Sequence, residues 1–186
     1  SGATVFRDEL RNLFPNDPLA RKLREQTLVL SELLEKKAPD FRIPRLARRA
    51  LVQGHCHHKA VIRFDDEQKV LDKIGLDYKL LTSGCCGMAG SFGFEANKYD
   101  ISLQIGERCL LPAVREAEEE AVIVADGFSC REQIAQDTDR QALHLAEVIR
   151  MAQEKDGAEA ELPVQGRPEA ALAEQRRSSL RRARIG

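Results

Sequence analysis

The sequence predicts an α/β fold: a parallel sheet with crossover helices, preceded by two helices. Three observations lead there. Short apolar runs bounded by turn residues stand at ALVQG (50–54), LDYKLLTSG (76–84) and AVIVAD (121–126). Segments of helical period lie between them. A cluster of cysteine, histidine or glycine follows the end of each run. Strands that alternate with helical segments are most economically joined as parallel strands through crossovers.

In chain order, ATVFRDELRNLFP places Val5, Phe6, Leu10, Leu13 and Phe14 at helical spacing until Pro15 and Pro18 interrupt it. Asp17 before Pro18 suits an N-cap with proline at the first helical position. The helix that follows is expected from Leu19 to Lys36, with Leu19, Leu23, Leu30, Leu33 and Leu34 as its apolar stripe. ALVQG is the first strand. A helix from Glu67 to Ile74 should stop at Gly75. LDYKLLTSG is the second strand. A long helix over Glu95–Ala117 should be kinked or divided by Pro112. AVIVAD is the third strand, and helices near Arg131–Gln136 and Gln141–Gln153 close the domain, the second containing His144. Residues 1–47 are thus read as a helical segment, 48–153 as a cysteine-rich domain and 154–186 as a flexible tail, with a transient helix over Pro168–Arg182.

The chain has 186 residues, which suits one domain with an appended tail. Its net charge of −1 gives no global attraction to nucleic acid or to anionic membrane. No run of about 18 apolar residues predicts a transmembrane helix, and SGATVFRDEL has no apolar core of a signal peptide. Five cysteines, an odd number with an adjacent pair, argue against an extracellular disulfide framework. A reducing, cytoplasmic compartment is expected, in which clustered cysteines act as metal ligands or redox thiols.

Three segments deliver cysteines to one edge of the sheet: Cys56 after the first strand, Cys85 and Cys86 after the second, Cys130 after the third. The carboxyl ends of strands are where ligands bind in open α/β sheets. Thiolates are soft, charged ligands for iron–sulfur clusters and zinc, and four of them fill a usual coordination shell. Gly84 and Gly87 free the backbone on both sides of the Cys85–Cys86 pair, so both sulfurs can face one centre, and both glycines are expected to line the cofactor. His55, His57 and His58 flank Cys56 and are further candidate ligands, which keeps a zinc module open. The adjacent pair also keeps a thiol redox switch open. Cys109 is expected mid-helix among apolar neighbours, outside the site. The glycine run lacks the GK[ST] of a P-loop and the G-x-G-x-x-G of a dinucleotide fingerprint.

GHCHHKA, SGCCGMAGSFGFE, IGERCLLPAVREA and VADGFSCREQI together resemble the cysteine-rich CCG domain. They are most similar to the carboxy-terminal iron–sulfur part of FAD-linked 2-hydroxyacid dehydrogenases of the glycolate oxidase, D-lactate and D-2-hydroxyglutarate type. The resemblance covers about Ala50 to Gln136. It implies a Rossmann-like sheet, with Cys56, Cys85, Cys86 and Cys130 at the ligand positions of a 4Fe-4S cluster, zinc being the alternative. It also implies FAD in another part of the parent protein, and as partners the flavin-binding domain, a first CCG repeat and a downstream electron acceptor. Any peripheral membrane attachment would come through the parent. Two departures stand out: Gly127 occupies the first cysteine position of the usual C-x-x-C, and one CCG copy is present without a flavin domain. The chain is therefore expected to be an excised second repeat with no turnover of its own.

Overall fold

The computed structural model describes residues 2–156 and 166–170. One parallel sheet runs in the order β2-β1-β3, with β1 at Arg49–Val52, β2 at Asp77–Leu80 and β3 at Val122–Val124. The central strand pairs Val52 with Leu80 on one side and with Val124 on the other. Leu143 adds one further parallel bridge to Val124. Helices make the crossovers, so the architecture is the Rossmann-like α/β fold that the alternating pattern predicts.

The helices follow the chain. A short α1 (Gly2–Thr4) passes through a π-helical turn (Val5–Glu9) into α2 (Leu10–Leu13). Then come α3 (Pro18–Gln26), α4 (Leu30–Lys36), a second π-helical turn (His58–Ile62) and α5 (Asp65–Ile74). A 3₁₀ turn (Phe92–Phe94) precedes α6 (Tyr99–Glu107), α7 (Leu110–Arg115), α8 (Phe128–Asp137) and α9 (Leu145–Asp156). Asp17 caps α3 as expected, accepting from the Leu19 N–H at 2.7 Å. α5 ends at Gly75 in the left-handed conformation, φ 78°, whose N–H returns to the Leu71 carbonyl at 3.1 Å.

Both faces of the sheet are covered, which is why β3 and the Ala50–Val52 part of β1 are apolar without alternation. Val52, Val122 and Val124 enter one core with Val70, Leu71, Ile74, Leu145 and Val148. Leu51 and Ile123 point the other way, into a second core with Leu110, Val114, Ile134, Cys86 and Cys130. Two of the site cysteines therefore belong to the packed interior. Among the described residues no helix is long and apolar enough to cross a membrane.

Several expectations need correction. The helix expected over Leu19–Lys36 is two helices: Thr27 takes extended geometry, its hydroxyl closing onto the Leu23 carbonyl at 2.7 Å, and Glu32 accepts from the Val29 N–H to start α4. The expected apolar stripe is mostly outward, with Leu19 73% and Leu23 42% exposed, and Leu34 buried. Pro112 divides the long helix, but the break falls earlier, at Arg108–Cys109. A proline lacks the N–H for the carbonyl four residues back and its ring clashes with that carbonyl, so Pro112 sits in the first turn of α7. Cys109 therefore lies in the break, half-buried, and not mid-helix. His144 precedes α9 instead of lying within it. Its Nδ1 accepts from the Ala146 N–H at 3.1 Å, and its own N–H donates to Glu147 at 2.9 Å.

Most of the tail expectation, including the helix over Pro168–Arg182, lies outside the described residues. Gly166–Ala170 is described, and it is docked. Glu169 is buried against Arg140, with Nε–Oε1 at 2.7 Å. The same guanidinium donates to the Ala121 carbonyl at 2.7 Å and the Glu118 carbonyl at 3.2 Å.

Candidate functional site

The strand register explains how three distant segments meet. Because Val52 is level with both Leu80 and Val124, the chain leaving β1 runs beside the chains leaving β2 and β3. The Gln53 N–H continues the ladder to the Val124 carbonyl at 2.8 Å. The buried Gln53 side chain also receives the Ser83 hydroxyl, which ties the first turn to the second.

The second turn carries Cys85 and Cys86. Gly87 holds φ +103°, and a β-carbon there would fall 2.0 Å from the Ser102 carbonyl of α6, so only glycine fits. Its N–H donates to Cys85 Sγ at 3.3 Å. Cys85 is half-buried and Cys86 buried. Gly84 is exposed with open space around it. The third turn is Ala125–Gly127, and Cys130 follows in the first turn of α8. Arg131 fastens this turn, donating to the carbonyls of Ala125 at 3.0 Å and Asp126 at 2.8 Å.

The thiols interact. Cys86 is pushed down to about 6, first because the Cys130 thiol donates to it, against the cost of burial and with help from the Met88 and Ala89 N–H groups. Cys130, as the donor and by its burial, is raised. Cys85 is raised by burial, with Cys86 and Cys56 close enough to add to it. All five cysteines are free thiols, and among the described residues no group of three or more Cys, His, Asp or Glu side chains is arranged to hold a metal ion. Thiolate sulfur is by its chemistry a soft donor, and glycines and paired strands hold the turns that carry these cysteines.

The three histidines divide. His55 is buried, its ring held edge-on to His57 with centroids 5.6 Å apart, and burial pushes it down to about 4, so it is a neutral imidazole. It stands beside Gly127 and Cys130. His58 packs instead on the Phe64 ring, with centroids 5.1 Å apart.

Sequence reasoning missed Lys59 and the pair Glu67–Asp126. The Lys59 stem lies over Gly54, and its ammonium donates to the Leu81 carbonyl at 3.0 Å. Burial lowers its basicity, while the charges of Cys130, Cys109 and Cys56 act to hold the proton on it. Its ammonium thus lies close enough to these cysteines for their charges to act on it. Glu67 is buried in α5 with Oε2 unpartnered, and burial followed by the Asp126 charge raises it to about 8. A lone lysine or glutamate in a helical pattern gives no signal of this kind, because only the folded register shows what it faces.

The chain is similar to parts of two kinds of dehydrogenase. It is 30% identical over 100 residues to a D-2-hydroxyglutarate dehydrogenase of Pseudomonas putida, which covers 53% of this chain and 10% of that protein. A D-2-hydroxyglutarate dehydrogenase of Escherichia coli is 31% identical over 83 residues, 44% of this chain and 8% of its own length. One polypeptide of the anaerobic glycerol-3-phosphate dehydrogenase of Escherichia coli is 36% identical over 72 residues, 38% of this chain and 17% of that polypeptide. The chain thus spans a small part of the length of the curated relatives it matches, all of them oxidoreductases by name. No family model matches the sequence, and no solved structure matches it.

Proposed function

We propose that this chain is the electron-transferring metal domain of a flavin-linked 2-hydroxyacid oxidoreductase, with Cys56, Cys85, Cys86 and Cys130 holding an iron–sulfur cluster of the 4Fe-4S kind. What supports the reading is that the turns carrying these cysteines follow the carboxyl ends of three parallel strands in register, in a chain similar to D-2-hydroxyglutarate dehydrogenases. When bound, such a cluster takes up and gives back single electrons. The chain's own residues supply the rest. Gly87 and Gly84 shape the turn that carries Cys85 and Cys86, and Lys59 would offset part of the negative charge of the thiolates. FAD would lie in another part of the parent protein, and the partners are its flavin-binding domain, a first CCG repeat and an electron acceptor. Leu13, Phe14, Leu19 and Leu23 of the amino-terminal segment are exposed apolar side chains that such a neighbour would cover. The reading sets the protein in a reducing cytoplasm.

The test is iron and acid-labile sulfide analysis of anaerobically purified and reconstituted protein, with its absorption spectrum. Iron with matching sulfide is expected. Stoichiometric zinc without iron would move the assignment to a zinc module, a second reading favoured by the neutral His55 imidazole beside Cys130.

A further inference from the structure

We infer that the amino-terminal edge of the sheet carries a peptide-binding site built on Arg140, that its ligand is a basic–proline–acidic segment, and that the chain's own Arg167-Pro168-Glu169 fills it as a detachable strap. The site is separate from the cysteine-bearing turns, which follow the carboxyl ends of the strands.

The receptor half is assembled without the strap. The Thr138 hydroxyl closes α8 by donating to the Ile134 carbonyl at 2.6 Å, and it receives the Arg140 N–H at 3.1 Å. The Arg140 guanidinium then donates to the Ala121 carbonyl at 2.7 Å and the Glu118 carbonyl at 3.2 Å, at the entry to β3. These bonds fix the planar group and leave its Nε edge for a carboxylate. Glu169 takes that edge with both oxygens, 2.7 Å from Nε and 3.4 Å from Nη2. The two side chains are 3% and 7% exposed. A guanidinium so enclosed demands an anion, because a lone buried charge is costly.

The strap relates to this site as a ligand does. Residues 166–170 contribute no side chain to either apolar core. Among the described residues, the strap's one backbone–backbone bond is internal, from the Ala170 N–H to the Arg167 carbonyl at 3.1 Å. Its hydrogen bonds to the rest of the protein all run through the side chains of Arg140 and Arg167. Pro168 is buried and fixes one backbone angle between the two charges. Outside, Arg167 pairs with the exposed Asp139 and lies 3.8 Å from Glu119. An acidic rim beside a buried guanidinium therefore selects a cation followed, past a proline, by a carboxylate, and disfavours a segment that is acidic throughout.

The test uses full-length chains and a fluorescein-labelled peptide of residues 164–173. Glu169→Ala and Glu169→Gln each open the site. By fluorescence anisotropy the peptide should bind both variants at least about tenfold more tightly than it binds the wild type, whose tethered strap competes. A peptide with alanine in place of its glutamate should lose at least about a hundredfold. One with alanine in place of its arginine should lose no more than about fivefold, since that ion pair is exposed. Adding Arg140→Met to Glu169→Ala exchanges the buried charge for an apolar side chain, so that chain should stay folded and bind no peptide. The peptide should also raise the thermal midpoint of Glu169→Ala and leave that of the double variant unchanged. Folded Glu169 variants that ignore the peptide, or that bind its glutamate-free form equally well, overturn the inference. Glu169 variants that stay unfolded even with the peptide present also overturn it, because the strap is then an inseparable part of the fold.

Discussion

Cys130 and Cys109 show how much position decides for a single side chain. Both are cysteines at helix starts, but Cys130 is buried and hydrogen-bonded to Cys86, whereas Cys109 lies half-buried in the break before α7. Cys130→Ser should therefore lower bound metal after reconstitution by at least about tenfold, while Cys109→Ser should retain it. Metal analysis of the two variants side by side checks this, and equal losses would refute the ligand assignment. Glu67 gives a pH prediction. Its folded-state value near 8 lies above the unfolded one, so the folded state holds the extra proton and stability should fall as pH rises from about 4.5 to 8. Glu67→Gln should flatten that slope and be the more stable protein at about pH 8. Denaturant midpoints at about pH 5 and about pH 8 would show it, and parallel slopes for both proteins would count against a protonated Glu67.

Elements were legible in the sequence to the degree that local chemistry set them. The strands at Arg49–Val52 and Val122–Val124 are short apolar runs closed by turns, and both lie where the pattern puts them. Gly75 and Asp17 mark helix ends for reasons that reside in one residue each. The single helix over Leu19–Lys36 was not legible as two, because the Glu32 carboxylate that receives the Val29 N–H is held by Arg7 from 25 residues away, which is tertiary information. The placement of Cys56, Cys85, Cys86 and Cys130 in segments that follow strand ends was legible in the sequence. The separate fates of His55 and His58, and the charge of Lys59, were not, since each depends on packing across the sheet. Between β2 and α6, Gly87→Ala is the sharpest test of an element contact. A β-carbon against the Ser102 carbonyl, added to a φ of +103°, should cost about 3 kcal/mol or displace the Cys85–Cys86 turn. Calorimetry together with the reactivity of Cys86 toward a thiol reagent would separate the two outcomes.

For the molecule as a whole, two cores on either side of one thin sheet carry the stability, and the cysteine rim draws on both. Leu71 and Val52 stabilise one face, while Cys86 and Cys130 are themselves packing residues of the other. Folding and metal retention should therefore fail together. Leu71→Ala, expected to cost about 3 kcal/mol by cavity formation, should also quicken metal loss on mild heating. Arg140 adds a long-range clamp. Removing its partner with Glu169→Ala leaves a buried guanidinium uncompensated and should cost about 3 kcal/mol in chemical denaturation.

That clamp also gives the protein a front and a back. Arg140 holds Glu169 where its guanidinium meets the Ala121 and Glu118 carbonyls, at the amino-terminal edge of β3, while the thiols lie beyond the carboxyl edge. Ala170 thus sits at the far end of the sheet from the sulfurs. A fluorophore or a surface linker placed at that position would anchor the molecule from behind, leaving the carboxyl edge of the sheet turned away from the attachment point.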